Sequence, residues 1–156
     1  MDARTRQDLD AFAEKFRTAE LHLAETQGWT LSLRPGQPML GSMVLSVRSG
    51  TRDLALLTPE EAVGMGAGLG LAERLAREVF GAVRINVLCL MMQDPIVHFH
   101  ILPRYDRPVS AAGRDWTDTD WPGPPQIAGD PAEDAVLHAL RDTLRAALKG
   151  DGFGMA

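Results

Sequence analysis

Between residues 5 and 27, apolar side chains recur at helical spacing: Leu9, Phe12, Phe16, Ala19 and Leu23 fall on one stripe. Thr5, with Asp8 three positions on, supplies a cap, and Gly28 supplies a stop, so the pattern predicts a helix over 5–27. The period then changes. Trp29-Thr30-Leu31-Ser32-Leu33 alternates apolar and polar as a half-buried strand does, and Pro35-Gly36 turns the chain. Residues 42–47 read as a second strand, and the pair predicts an antiparallel hairpin. Thr58-Pro59-Glu60-Glu61 joins a cap, a first-turn proline and two acids facing the positive end of the helix dipole. A helix follows to about Phe80, with Val63, Ala67, Leu71, Leu75 and Val79 as its expected buried face. The apolar runs Val83 to Met92 and Ile96 to Leu102 predict the central strands of the sheet. Residues 106–129 contain Trp121-Pro122-Gly123-Pro124-Pro125, too rich in proline for regular structure, and predict a long surface arm. Asp130-Pro131-Ala132-Glu133 opens a last helix with Leu137, Leu140, Leu144 and Leu148 on one face, and 150–156 read as a frayed tail.

Composition narrows the picture. A length of 156 residues predicts one domain, 1–156, and 45% apolar with 24% charged residues predicts a folded chain rather than a disordered one. Sixteen Lys and Arg against 21 Asp and Glu leave a net charge of −5, which gives no field for nonspecific binding to nucleic acid or anionic lipid. A local basic pocket remains compatible with that sum. Cys89 sits alone in an apolar run, so an internal disulfide is excluded and a buried, reduced thiol is expected. Residues 1–8 have no apolar stretch of signal-peptide type and no window suits a membrane span, which predicts a cytoplasmic protein.

Two features invite chemistry. The glycines in Gly64-Met65-Gly66-Ala67-Gly68-Leu69-Gly70 resemble a phosphate loop, but the spacing fails at Leu69 and the run lies inside a helix pattern. Close packing of that helix on a sheet or a partner is the alternative. The second feature is the strand holding His98 and His100. Strand alternation sends Val97, Phe99 and Ile101 to one face and Ile96, His98, His100 and Leu102 to the other. The two imidazoles then stand roughly 6 to 7 Å apart on that face. His22 and His138 have no evident partner and read as structural histidines.

Three roles fit the pair: a solvated sheet face, a metal site, or nucleophilic catalysis. A metal needs further ligands, and only Asp94 and Asp106 lie near in sequence. Catalysis at phosphorus needs one neutral imidazole to attack and a second, as imidazolium, to assist the departing atom. A backbone carbonyl accepting from one ring nitrogen would fix the tautomer and aim the other outward, and apolar neighbours such as Ile96 would keep the nucleophile neutral.

His98-Phe99-His100-Ile101-Leu102-Pro103-Arg104 resembles the latter part of the histidine triad signature, His-x-His-x-His followed by apolar residues and often Pro-Arg. Residues 38–45, 57–61 and 80–86 are similar to the family's glycine-then-strand segment, its helix start and its approach to the next strand. The resemblance covers residues 29–105. It implies an α+β fold: an antiparallel sheet with packed helices, flanked by the N-terminal helix 5–27 and a C-terminal arm and helix over 106–149. It further implies a homodimer that hydrolyses or transfers nucleoside phosphoryl groups through a nucleotidyl-histidine intermediate, on a dinucleoside polyphosphate or nucleoside phosphoramidate, with no cofactor and no metal in the nucleophilic step. On the motif, His98 takes the nucleophilic position and His100 the one that contacts the phosphate or leaving group. Gln93 resembles a phosphate-contacting glutamine, and Arg34 falls near a sugar-contacting position often filled by Asn. The first histidine of the triad is replaced by Ile96, which cannot hydrogen-bond through its side chain. A binding or interaction protein with weak or lapsed catalysis is therefore the alternative function.

Overall fold

The computed structural model describes residues 1–150, so the tail read over 150–156 lies, beyond its first residue, outside the described residues. Helix α1 (Ala3–Phe16) is capped by Asp2, whose carboxylate accepts from the Thr5 amide at 2.8 Å. The expected helix over 5–27 ends early. Arg17 takes a left-handed backbone (φ 52°), and residues 22–26 form a strand instead. The reason is tertiary. Strand β1 (His22–Thr26) pairs antiparallel with β2 (Trp29–Leu33) across the two-residue turn Gln27-Gly28, where φ of +85° favours glycine. Gly28 is a hairpin residue and not a helix stop.

Strand β3 (Met43–Val47) pairs with β2 as the expected hairpin. Helix α2 (Pro59–Phe80) starts on a full capping box, with Thr58 and Glu61 each bonded to the other's backbone. Its buried face keeps the expected Leu71 and Leu75 but otherwise lies one position on from the expected stripe. Gly64, Gly68, Leu71, Ala72, Leu75, Ala76 and Phe80 are buried, whereas Val63 is 67% exposed. The glycines cause the shift, because they let the backbone settle on the sheet. A Cβ at Gly64 would lie 1.7 Å from the Gln27 carbonyl oxygen, and one at Gly68 would lie 2.7 Å from Leu45 Cδ1. Thr26 Oγ1 donates to the Gly64 carbonyl and Trp29 Nε1 to that of Glu61, fixing the seat.

Strands β4 (Arg84–Leu88) and β5 (His98–Arg104) complete a five-stranded antiparallel sheet of order β1-β2-β3-β5-β4. β5 is central and buried throughout. β4 is an edge strand and not a central one, because only β5 pairs with it among the described residues and Val87 is exposed. The arm is also less irregular than expected. A short hairpin of β6 (Val109–Ala111) and β7 (Arg114–Trp116) forms around Ala112-Gly113, both at positive φ, and the stretch after it, 117–130, runs without strands or helices. Asp118 anchors that stretch to β5 through a buried ion pair with Arg104, Oδ2 to Nε 2.6 Å. Pro131 then bridges to Gly36, which keeps residues 130–133 extended and delays helix α3 (Asp134–Leu148). Leu137, Leu140 and Leu144 bury its inner face against α2, β1 and β2. His138 does have a partner, Glu20 Oε1 at 2.7 Å, and the half-exposed His22 lies on β1 with Glu25 at 4.0 Å. Among the described residues no helix is long and apolar enough to cross a membrane.

Candidate active site

β5 displays its two faces as the alternation predicts. Phe99 meets Trp29 on the α2 side, with ring centroids 5.7 Å apart. His98 and His100 point to the other side and meet each other at 5.0 Å and 81°. That side is no solvated face. Phe12 and Phe16 of α1 lie over it, 5.0 Å (Phe12) and 6.0 Å (Phe16) from His98 and 5.9 Å (Phe16) from His100, leaving the imidazoles 2% and 7% exposed.

The pair still opens on a cleft of about 350 Å³. Lys15 and Phe16 form one wall, and Ile127 and Ala128 of the arm another. The loop after β4 contributes Leu90 to Asp94, and Arg34 reaches in from the end of β2. All four residues singled out by the sequence thus share one cleft. Gln93 lies exposed on its rim, with no hydrogen bond of its own among the described residues. Beside it, Asp94 is held by Lys15 at 2.8 Å, which clasps α1 to the loop. Asp106 pairs with Arg107 at 3.1 Å and is not among the cleft residues. Cys89 is half-buried rather than buried, and loss of water pushes its thiol pKa up.

His98 Nδ1 lies 2.7 Å from the carbonyl oxygen of Ile96. A carbonyl only accepts, so Nδ1 carries the proton and Nε2 keeps a free electron pair. Burial lowers the His98 pKa, with the Ile96 carbonyl partly opposing. His100 is pushed down to about 4, first by burial, then by the positive charge of Arg34. Both rings are therefore neutral near pH 7, which departs from the expected neutral and charged pairing. The cause is the phenylalanine cover together with the nearby guanidinium.

Arg34 holds a second kind of information. Its Nη2 donates to the Ile127 carbonyl at 2.8 Å, while Nε and Nη1 are buried with no partner among the described residues. His100 Nδ1 and Ser32 Oγ are also buried and unpartnered among the described residues. Of these, Arg34 and His100 line the cleft, and an orphaned guanidinium there marks a place where ligand oxygens fit. Lys15, Phe16 and Ile127 were not recognised from sequence as cleft residues. The i, i+4 spacing of Phe12 and Phe16 indicated burial but not against what. Ile127 lies 93 positions from the arginine it holds, and no local signal connects them.

A scan of protein-family models finds no match, and neither does a search of curated proteins. Solved structures do match. A histidine triad protein from Marinobacter aquaeolei superposes with a TM-score of 0.65 at 22% identity, covering 85% of this chain and 93% of that one. The chain has the histidine triad fold. A hypothetical histidine triad nucleotide-binding protein from Sulfolobus tokodaii matches at 0.65 and 12% identity, over 86% of this chain and 91% of its own. A zinc-bound histidine triad family protein from Mycobacterium smegmatis matches at 0.57 and 21% identity, over 81% and 85%. On this histidine triad fold the donor set does not suit zinc. Two imidazoles face the cleft, and among the described residues no three His, Cys, Asp or Glu side chains gather where they could hold an ion.

Proposed function

We propose that this chain is a nucleotide hydrolase or nucleotidyl transferase of the histidine triad type. Its substrate is a dinucleoside polyphosphate or a nucleoside phosphoramidate, and the reaction passes through a nucleotidyl-histidine intermediate. The observation that carries the proposal is the tautomer lock on His98. With Nδ1–H held by the Ile96 carbonyl, the free pair on Nε2 is available to attack phosphorus, and the charge that develops on the ring meets the carbonyl oxygen. The missing first histidine therefore removes a side chain without removing the bond that orients the nucleophile.

In this mechanism His98 Nε2 attacks the phosphorus, and the bond to the leaving group breaks. Gln93 with backbone donors holds phosphate oxygens, Arg34 binds the substrate from the cleft wall, and His100 contacts the leaving group. Water then cleaves the phosphorus–nitrogen bond and restores His98. The Phe12 and Phe16 cover keeps bulk water off the imidazoles and strengthens each charge interaction in the cleft. We further propose that residues 1–156 act as one domain, that the protein works in the cytoplasm, and that it forms a homodimer, for which β4, paired on one side only among the described residues, offers an edge.

A second reading is a nucleotide-binding protein in which catalysis has lapsed. The depressed pKa of His100 favours it, since a neutral ring is a poor proton donor at pH 7. Purified protein incubated in EDTA with diadenosine tetraphosphate and with an adenosine phosphoramidate decides between them. Turnover that vanishes in His98→Ala supports the enzyme. AMP binding without turnover of either compound supports the second reading, and turnover abolished by EDTA would point to a metal instead.

A further inference from the structure

The buried guanidinium of Arg34 is a cation without an anion. No carboxylate pairs with it among the described residues, its one bond goes to a neutral carbonyl, and two of its nitrogens have no acceptor. Arg is charged at any working pH, so this arrangement is costly in the free protein and is relieved when an anion enters. Desolvation also strengthens its attraction for a phosphate, which its planar fork can bind through two nitrogens at once.

We propose that Arg34 is a specificity residue that selects substrates whose leaving group is itself a phosphate, so that the preferred bond is a phosphoric anhydride and not a phosphoramidate. The inference rests on the nucleotide reading above and narrows it. Attack by His98 Nε2 forms a nitrogen–phosphorus bond and breaks the bridging phosphorus–oxygen bond, whose electron pair stays on the departing oxygen. A nucleoside polyphosphate leaves as an anion, needs no proton, and is met by the guanidinium. Water then breaks the nitrogen–phosphorus bond, yielding a nucleoside monophosphate and one proton released to solvent. A phosphoramidate makes the opposite demand. Its nitrogen must gain a proton before it departs, and the product ammonium is repelled by Arg34. The neighbouring His100, neutral because of burial and of that same arginine, is a poor proton donor at pH 7.

The test uses the full chain in EDTA with diadenosine tetraphosphate, an adenosine phosphoramidate, ADP and AMP. The wild type should turn over the anhydride with a kcat/KM at least about tenfold above the phosphoramidate, and should bind ADP more tightly than AMP. Arg34→Gln should lower kcat/KM for the anhydride by roughly tenfold to a hundredfold, lower that for the phosphoramidate distinctly less, and equalise ADP and AMP. Arg34→Lys, which keeps the charge without the fork, should recover part of both preferences, a result that general destabilisation cannot produce. Preference for the phosphoramidate, or an equal fall for both substrates in Arg34→Gln, would overturn the proposal. If neither substrate turns over, the enzyme reading fails, and the ADP preference with its loss in Arg34→Gln still decides this one.

Discussion

His98 Nδ1 and the Ile96 carbonyl oxygen stand 2.7 Å apart, two residues along one chain, so the group that orients the histidine belongs to the backbone at position 96. The Ile96 side chain is 1% exposed and belongs to the core cluster. Side-chain truncation there should therefore damage stability and spare the tautomer. Ile96→Val should cost about 1 kcal/mol and Ile96→Ala about 2–5 kcal/mol in denaturant unfolding. Imidazole nitrogen shifts in both variants should keep reporting a proton on His98 Nδ1. A proton found on Nε2 in either would break the link between the backbone and the nucleophile.

The depressed imidazole pKa values set a pH window. In the unfolded chain each histidine gains its proton near pH 6.5, whereas folded His100 does so only near about 4. Between those values the unfolded state binds more protons, so stability is full above about 6.5 and falls as the pH drops toward about 4. The urea midpoint should decline across that range, and His100→Asn should flatten part of the decline. Any turnover that depends on His98 should hold its kcat/KM below pH 6.5, since its pKa is lowered as well. An unaltered pH slope in His100→Asn would show that other groups dominate.

Phe16 touches both imidazoles, which makes it the direct test of the cause assigned to their shifts. Phe16→Ala admits water to the rings, and the His100 pKa should climb from about 4 toward 6.5 in a proton NMR titration. Little movement would transfer the effect to Arg34, the second contributor.

Local patterns in the sequence carried the parts of this structure that local physics decides. The capping box at Thr58, the β2–β3 hairpin, the alternation that places His98 and His100 on one face, and the carbonyl-locked tautomer all follow from spacings of a few residues. Residues 17–27 misled because Ala19 and Leu23 fit a helical stripe, while the strand at 22–26 depends on pairing with β2 and on the left-handed turn at Arg17. The cover of the histidines by Phe12 and Phe16 and the capture of Arg34 by Ile127 join segments far apart in the chain. Such contacts leave no periodicity to read. The fold and the histidine pair were thus legible, and the charge state of the pair was not, because it depends on these distant contacts.

The glycine run in α2 separates packing from propensity. Gly64 and Gly68 face the sheet with no room for a methyl group, and Gly66 and Gly70 face solvent with nothing nearby. Gly66→Ala and Gly70→Ala should each raise stability by up to about 1 kcal/mol, seen as a higher Tm. Gly64→Ala should lower it by several kcal/mol, since the added carbon would collide with the Gln27 backbone and push the helix off the hairpin. Equal effects at all of these sites would mean that the helix does not need close contact with the sheet.

The arm is tied to the sheet by Arg104 and Asp118, whose side chains are 3% and 1% exposed, with Asn86 accepting from the same guanidinium. Nine residues beyond Asp118, the Ile127 carbonyl holds Arg34 in the cleft, so the ion pair positions a cleft wall without touching it. Asp118→Asn leaves a buried cation without its anion and should cost about 3–5 kcal/mol in stability. It should also loosen residues 119–132, measured as faster proteolysis and faster amide exchange there, and weaken the ADP preference assigned to Arg34. Replacing both partners, Arg104→Met with Asp118→Leu, removes the desolvation penalty and should recover much of the stability without the bonds that aim the arm. The two effects then part: stability returns while the ADP preference stays weak. If the double variant restores both, the ion pair contributes stability alone and the arm finds its place by other contacts.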